Sequence, residues 1–324
     1  MQMTPMQMTP LKNESLQSAA LPTHVPKRRI LCATDLTARS ARAMKRAAML
    51  AQQMDAQAHF VHTVSDLLAG RVLRSKVNRA YARLTEQSDR LMRHAPYDCT
   101  AAIQLGKPIN GLIEAARELN PDLIVMAQPK RRRLDAMIGT TAERVIRATG
   151  CSVLLTAGDA ERPYERVVLA TDLSPTSMHV TRTAVDMGVL TSAETWVVHA
   201  FGLPYHDIAT SDSFKVDQLN LVDGLARQAR WHEAARRDVL RNLDDAGADL
   251  ERVHILTEQA SAPNAIRRAL DLVQPELLVI GVSRWFALKR ILIGSVADQV
   301  FRSANCDVLA IAPAAAEKQW RLAA

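Results

Sequence analysis

The chain has 324 residues, is 48% hydrophobic and 23% charged, and carries a formal net charge of +7. That composition excludes a fibrous protein or a wholly disordered one, and the length favours two domains over one. No apolar run approaches the ~20 residues of a membrane span, and the N-terminus lacks the apolar core of a secretory signal. A cytoplasmic protein without a membrane partner is therefore expected. Four cysteines, Cys32, Cys99, Cys151 and Cys306, show no CxxC spacing and read as small core hydrophobes. Apart from Lys27–Arg29 and Lys130–Arg133 the basic residues are scattered along the chain, which reads as a positive surface without a nucleic-acid partner.

Residues 1–26 combine a repeated MQMTP unit with polar residues and two prolines, the pattern of a disordered tail. Residues 27–158 then read as a first domain. Ile30–Leu36 is a short buried strand ending in a polar turn, and Thr37–Met54 has Ala43, Ala47, Leu50 and Ala51 at helical spacing. A second strand is expected over Ala58–Val64, an Arg-rich helix over Ser75–His94, and a third strand over Thr100–Leu105. A helix over Ile109–Glu118 is broken by Pro121, and a fourth strand follows at Asp122–Ala127. Gly139–Thr140 opens another helix, and Ser152–Thr156 is the fifth strand.

A second domain, 164–314, repeats the first, and residues 315–324 form a short tail. Ala33–Leu36 recurs as Ala170–Leu173 and Val61–His62 as Val198–His199, each 137 residues on. Asn110 and Asn264, and Pro121 and Pro275, match at 154; Gly139 and Gly294, and Cys151 and Cys306, match at 155. The step from 137 to 154 is an insertion of 17 residues, placed mostly in Phe201–Val216 with some lengthening the helix that follows. Such a register over two long segments is a tandem duplication. Each repeat reads β-α-β-α-β-α-β-α-β with strands apolar on both faces, so the fold class is α/β: two tandem, doubly wound, five-stranded parallel sheets covered by helices.

The stretch Pro275–Pro313 carries most of the chemistry. A buried strand at Leu277–Ile280 ends in Gly281, Gly294–Ser295 opens a helix over about Val296–Ser303, and a last strand lies at Val308–Ile311. A strand ending in glycine, followed by Gly-Ser at a helix start, offers backbone N–H groups to an anion.

The Ala-Thr-Asp after each first strand, the Val-His in each second strand and the strand–Gly…Gly-Ser–helix–strand finish together resemble the universal stress protein family. The likeness runs over residues 28–314 and points to its tandem-domain members; the altered glycines of repeat one are similar to those of the UspE type. The resemblance implies an adenine-nucleotide site with a Gly-x2-Gly-x9-Gly-(Ser/Thr) signature. Carried onto repeat two, it implies cofactor-binding positions at Ala170, Thr171, Asp172, Ala200, Gly281, Gly294, Ser295 and Val296, with ATP as the ligand and magnesium left open. Arg284 stands at the second glycine. Its side chain either fills the phosphate space or pairs with a phosphate.

Repeat one departs further: Ala127 and Lys130 replace the first two glycines, Pro129 removes an N–H, and eight residues precede Gly139–Thr140. It is expected to keep the fold and to have lost the site. No HExxH, P-loop or GxSxG occurs, so no catalytic or metal-binding residue is assigned, and His62 and His199 read as structural hydrogen-bonders. In single-domain members the last strand pairs between subunits, which implies an internal pseudo-dimer with Val153–Thr156 beside Val308–Ile311. Homodimerisation of the whole chain stays open. The expected function is a stress-response protein that is not an efficient enzyme. Two other readings stay open: a slow ATPase switch, and a ligand-free module that recruits a protein or nucleic acid.

Overall fold

The computed structural model describes residues 28–67, 70–93, 98–128, 139–158, 162–201, 218–282 and 304–313. The expectations placed on the N-terminal tail, Lys130–Arg133, most of the insertion, Arg284 and Gly294–Ser303 lie outside the described residues.

Repeat one comprises β1 (Arg28–Ala33), α1 (Ala38–Gln53), β2 (Ala56–Val64), α2 (Gly70–Met92), β3 (Cys99–Leu105), α3 (Pro108–Leu119), β4 (Leu123–Ala127), α4 (Gly139–Thr149) and β5 (Ser152–Thr156). Repeat two follows with β6 (Arg166–Thr171), α5 (Pro175–Asp186), β7 (Glu194–Phe201), α6 (Gln218–Asp245), β8 (Val253–Gln259), α7 (Ala262–Val273), β9 (Leu277–Gly281) and β10 (Asp307–Ile311). The two sets share one ten-stranded sheet in the order β3-β2-β1-β4-β5-β10-β9-β6-β7-β8. Within each repeat all pairings are parallel and the order reverses beside the first strand, which is the doubly wound arrangement. The repeats meet at an antiparallel join, β5 against β10, with Val308 opposite Leu155 and Ala310 opposite Val153.

Helices α1, α2, α5 and α6 cover one face of the sheet and α3, α4 and α7 the other. Each face holds an apolar core that crosses the join: Met44, Leu84, Val180 and Leu243 belong to one, and Leu112, Val145, Ile266 and Val308 to the other. The strands are apolar on both faces because both faces are covered.

Local chemistry sets the helix limits. Thr37 caps α1 by accepting from the Ser40 N–H, and Ser174 caps α5 through the Ser177 N–H. α3 and α7 each begin with a proline in the first turn, and each ends on a left-handed residue, Asn120 or Gln274, directly before a proline.

Two bounds differ most from the sequence reading. β1 stops at Ala33 because Thr34–Leu36 forms a turn, not strand. α2 begins at Gly70, five residues earlier, where half-buried Leu73 and Val77 continue the helical spacing of Ala80 and Leu84. α6 has 28 residues against 23 in α2, so part of the insertion lengthens this helix, as expected.

A buried ionic cluster sits where the repeats join. Asp307, at the start of β10, is 1% exposed and accepts from the Ala157 N–H (2.8 Å), the Gly158 N–H (3.0 Å) and the Tyr164 hydroxyl (2.8 Å). Arg46 of α1 faces it with Nε 3.3 Å from Oδ2, donates to the Arg162 carbonyl at 2.7 Å and lies 4.1 Å over the Tyr164 ring. The pseudo-symmetric position to Asp307 is Ser152, whose hydroxyl accepts from the Ala312 N–H at 3.1 Å. Both joining strands thus fix the chain that leaves the partner strand, one with a hydroxyl and one with a carboxylate that draws in a cation.

Candidate functional site

The first loop of each repeat has the same geometry. Thr34 and Thr171 accept, through Oγ1, the N–H of Leu36 and Leu173 at 3.1 Å. Those leucines sit at φ +61° and +60°, a conformation that costs a non-glycine residue about 1 kcal/mol. Asp35 Oδ1 accepts from the Thr37 N–H (3.0 Å) and the Ser40 hydroxyl (2.6 Å); Asp172 Oδ1 accepts from the Ser174 N–H (3.0 Å) and the Ser177 hydroxyl. Partial burial opposes ionisation of both carboxyls, but the hydrogen bonds outweigh it and hold each below the usual aspartate value. The Ala-Thr-Asp-Leu motif therefore builds a strained turn in both repeats, whatever else it does.

His62 and His199 are part of the same scaffold. Their Nδ1 atoms meet the carbonyls of Thr34 (2.8 Å) and Thr171 (3.0 Å), tying the second strand to the end of the first. Both are structural hydrogen-bonders, as expected.

Beyond the loop the described residues of the two repeats differ. In repeat two a cavity of about 270 Å³ opens at the carboxyl ends of β6, β7 and β9, the crevice where strand order reverses. Ala170, Thr171, Asp172, Ala200 and Gly281 line it, which brings together every expected position that is described. Ser174, Thr176, Ser177, Val198 and Ile266 line it as well and escaped the sequence reading. Ser177 had a signal: it matches Ser40 at the same offset as the Ala-Thr-Asp motif.

In repeat one the residue equivalent to Thr176 is Arg39. Its guanidinium spans the crevice, with one nitrogen 4.0 Å from Asp35 Oδ2 and the other donating to the Gln128 carbonyl at 3.3 Å. A long cation thus crosses the place that a threonine leaves open in repeat two.

Gly281 has a packing role that the glycine signature did not suggest. A Cβ there would lie 2.8 Å from Val180 Cγ2. Repeat one has Ala127 at that place and Ala43 in place of Val180, so the larger and smaller residues have traded sides. Gly281 makes room for Val180 as well as leaving the crevice wall bare.

The cysteines are core residues. Cys32, Cys151 and Cys306 are buried and Cys99 is partly so. Burial raises the thiol of Cys32 far above its ordinary value and pushes that of Cys306 up to about 12. Among the described residues no group of three metal-ligating side chains occurs, and no helix is long and apolar enough to cross a membrane.

Two doubly wound units, each with a switch-point crevice and sharing a sheet through their last strands, define a duplicated open α/β protein. The chain belongs to the universal stress protein family: the model of that family matches residues 27–157 and again 163–312. Universal stress protein MJ0531 of Methanocaldococcus jannaschii is 23% identical over 154 residues, which cover 47% of this chain and 85% of that protein. Three solved structures share the fold over nearly the whole chain. PA1789 of Pseudomonas aeruginosa PAO1 superposes with TM-score 0.63 at 19% identity, covering 92% of this chain and 97% of that one. A universal stress protein of P. aeruginosa UCBPP-PA14 gives 0.62 at 18%, covering 92% and 98%. One from Archaeoglobus fulgidus gives 0.60 at 15%, covering 88% and 96%. Membership places the chain among stress-response proteins.

Proposed function

We propose that the protein is a cytoplasmic stress-response protein whose second repeat binds an adenine nucleotide, and that it works by binding and not as an efficient enzyme. In this reading the domains are 27–158 and 164–314, and only the second holds ligand. The observation that carries it is the cavity at the β6–β9 switch point, set against Arg39 across the equivalent place in repeat one. Val198, Ala200 and Ile266 supply an apolar wall for a flat base, while Asp172, an exposed carboxylate with acceptor capacity left, suits ribose hydroxyls. Gly294, Ser295 and Val296 belong to the phosphate side on the sequence argument, and Arg284 beside them either pairs with phosphate or closes the site.

Calorimetric titration of ATP with magnesium into the full chain tests the reading. One site per chain is expected. Asp172→Ala by itself is ambiguous, because Asp172 also holds its loop. Thr176→Arg copies repeat one without touching that turn and is expected to abolish the heat, as is Ser295→Ala. Absence of heat and of any thermal shift with wild type at millimolar ATP refutes nucleotide binding and leaves the interaction-module reading. Two sites per chain would refute the assignment to repeat two alone.

A further inference from the structure

The chain's positive charge is concentrated in one repeat. Residues 27–158 hold 22 Lys and Arg against 11 Asp and Glu, whereas residues 159–324 hold 18 against 22. The fold then gathers part of that excess onto one helix. In α2, Arg71, Arg74, Lys76, Arg79 and Arg83 are all exposed, and no acidic residue occurs between Leu67 and Thr85. The buried positions Ala80, Leu84 and Ser88 mark one side of the helix, and the five cations spread over the remaining arc of about 200°, with Arg71 and Arg79 nearest its centre and Arg74 and Lys76 on opposite flanks. Asp66 stands before the helix, and Glu86 is held by Arg90 one turn on at 2.5 Å. No carboxylate of a described residue lies within ion-pair distance of any of the five.

This arrangement works against the helix that carries it. Arg71 and Arg74, Lys76 and Arg79, and Arg79 and Arg83 are like-charge pairs at three- or four-residue spacing. Arg71 and Arg74 also occupy the first turns, where the helix dipole disfavours cations. The duplicated repeat shows that the fold does not require them. The equivalent positions in α6, 154 residues on, are Leu225, Gln228, Arg230, Glu233 and Arg237, with a net charge of +1.

We infer that the outward face of α2 is a binding surface for the phosphate backbone of duplex nucleic acid. Four of the five cations are arginine, whose planar fork pairs with phosphate oxygens two at a time. Ser75 and Asn78 lie exposed between them and can donate to phosphates. Arg71 to Arg83 spans about 18 Å of helix, long enough to meet several phosphates along a groove edge. A bilayer is the poorer match, because the apolar stripe of α2 is spent on the core. Among the described residues, Val72 and Leu67, 62% and 83% exposed, are the exposed large apolar residues beside the cations. The contacts are to backbone, so binding is largely independent of base sequence.

The test is fluorescence anisotropy of a labelled mixed-sequence DNA duplex with the full chain, titrated in KCl from about 25 to 200 mM. Arg74→Gln/Arg79→Gln/Arg83→Gln is compared with Arg236→Gln/Arg237→Gln/Arg241→Gln, which removes the same charge from α6. Binding that falls steeply with salt, is weakened at least tenfold by the α2 triple variant, and loses about three from the log–log salt slope supports the inference. The α6 variant is expected to bind nearly as wild type. Thermal unfolding, expected at or above wild type for the α2 variant because like-charge repulsion is relieved and near wild type for the α6 variant, separates a lost surface from a lost fold. No binding at the lowest salt, equal loss from both triple variants, or retention on phosphatidylserine vesicles without affinity for the duplex each overturns it. Nucleotide binding in repeat two is read separately by calorimetry and does not depend on the outcome.

Discussion

Replacing Asp307 with alanine strikes the join between the repeats at its most buried charge. The carboxylate is 1% exposed and satisfies two backbone N–H groups, the Tyr164 hydroxyl and Arg46, itself 3% exposed. Arginine cannot escape by losing its proton, so the variant leaves a buried guanidinium facing a void. Removing one member of a buried pair costs about 3–5 kcal/mol. Arg46 keeps its stacking on Tyr164 and its bond to the Arg162 carbonyl, which places the expected loss near the lower end. Arg46→Met leaves Asp307 with three donors and should cost less, about 2 kcal/mol. In the double variant neither charge is stranded, so its loss should fall short of the sum of the singles by about 1–3 kcal/mol. Urea denaturation at pH 7 followed by circular dichroism, with a common m-value, measures all three. An Asp307→Ala loss under about 1 kcal/mol, or singles that simply add, would refute the argument that this pair holds the repeats together.

Gly281→Ala drives a Cβ to 2.8 Å from Val180 Cγ2 and should destabilise by about 1–3 kcal/mol, the range for overpacking. Combined with Val180→Ala it reproduces the Ala127 and Ala43 arrangement of repeat one, so the double variant should recover most of the loss in the same urea assay. His59 is 7% exposed, and burial first, with Arg29 nearby, holds its imidazole below the ordinary value against a smaller pull from Asp98. A base with a lowered folded-state pKa takes up its proton first in the unfolded chain. Its contribution to stability is therefore intact above about pH 6.5 and falls as pH drops from there toward the folded value. His59→Asn should flatten the fall of the urea midpoint between about pH 7 and 5 relative to wild type; an unchanged slope would exclude this histidine as the cause.

The duplication, the order of elements and the five strands of each repeat were legible because apolar periodicity and turn residues are local signals, and the same signals recur at fixed offsets. So was the placing of β5 beside β10, though only through family likeness; their antiparallel direction came from the structure. The expected positions Ala170, Thr171, Asp172, Ala200 and Gly281 do converge on one crevice, since ends of parallel strands in a doubly wound sheet must share an edge. The Ala-Thr-Asp motif by itself is a weak mark of binding, and the structure gives it a second role, because Asp35 and Asp172 hold the same turn in both repeats.

Local sequence did not mark Arg39 against Thr176 as a difference between the two crevices. The position lies inside α1 and α5 where no motif falls, and it matters because the first helix turn points at the end of the fourth strand. Nor could it pair Arg46 with Asp307, which lie in different repeats and meet only when the sheet closes. The α2 cations looked scattered along the chain because helical spacing spreads one face over thirteen residues. Sequence by itself determined which elements form and that they form twice, since those choices rest on neighbours in the chain. Tertiary structure alone decided which side chain crosses a crevice, which charges are buried together and which face outward, since those depend on residues that only packing brings into contact.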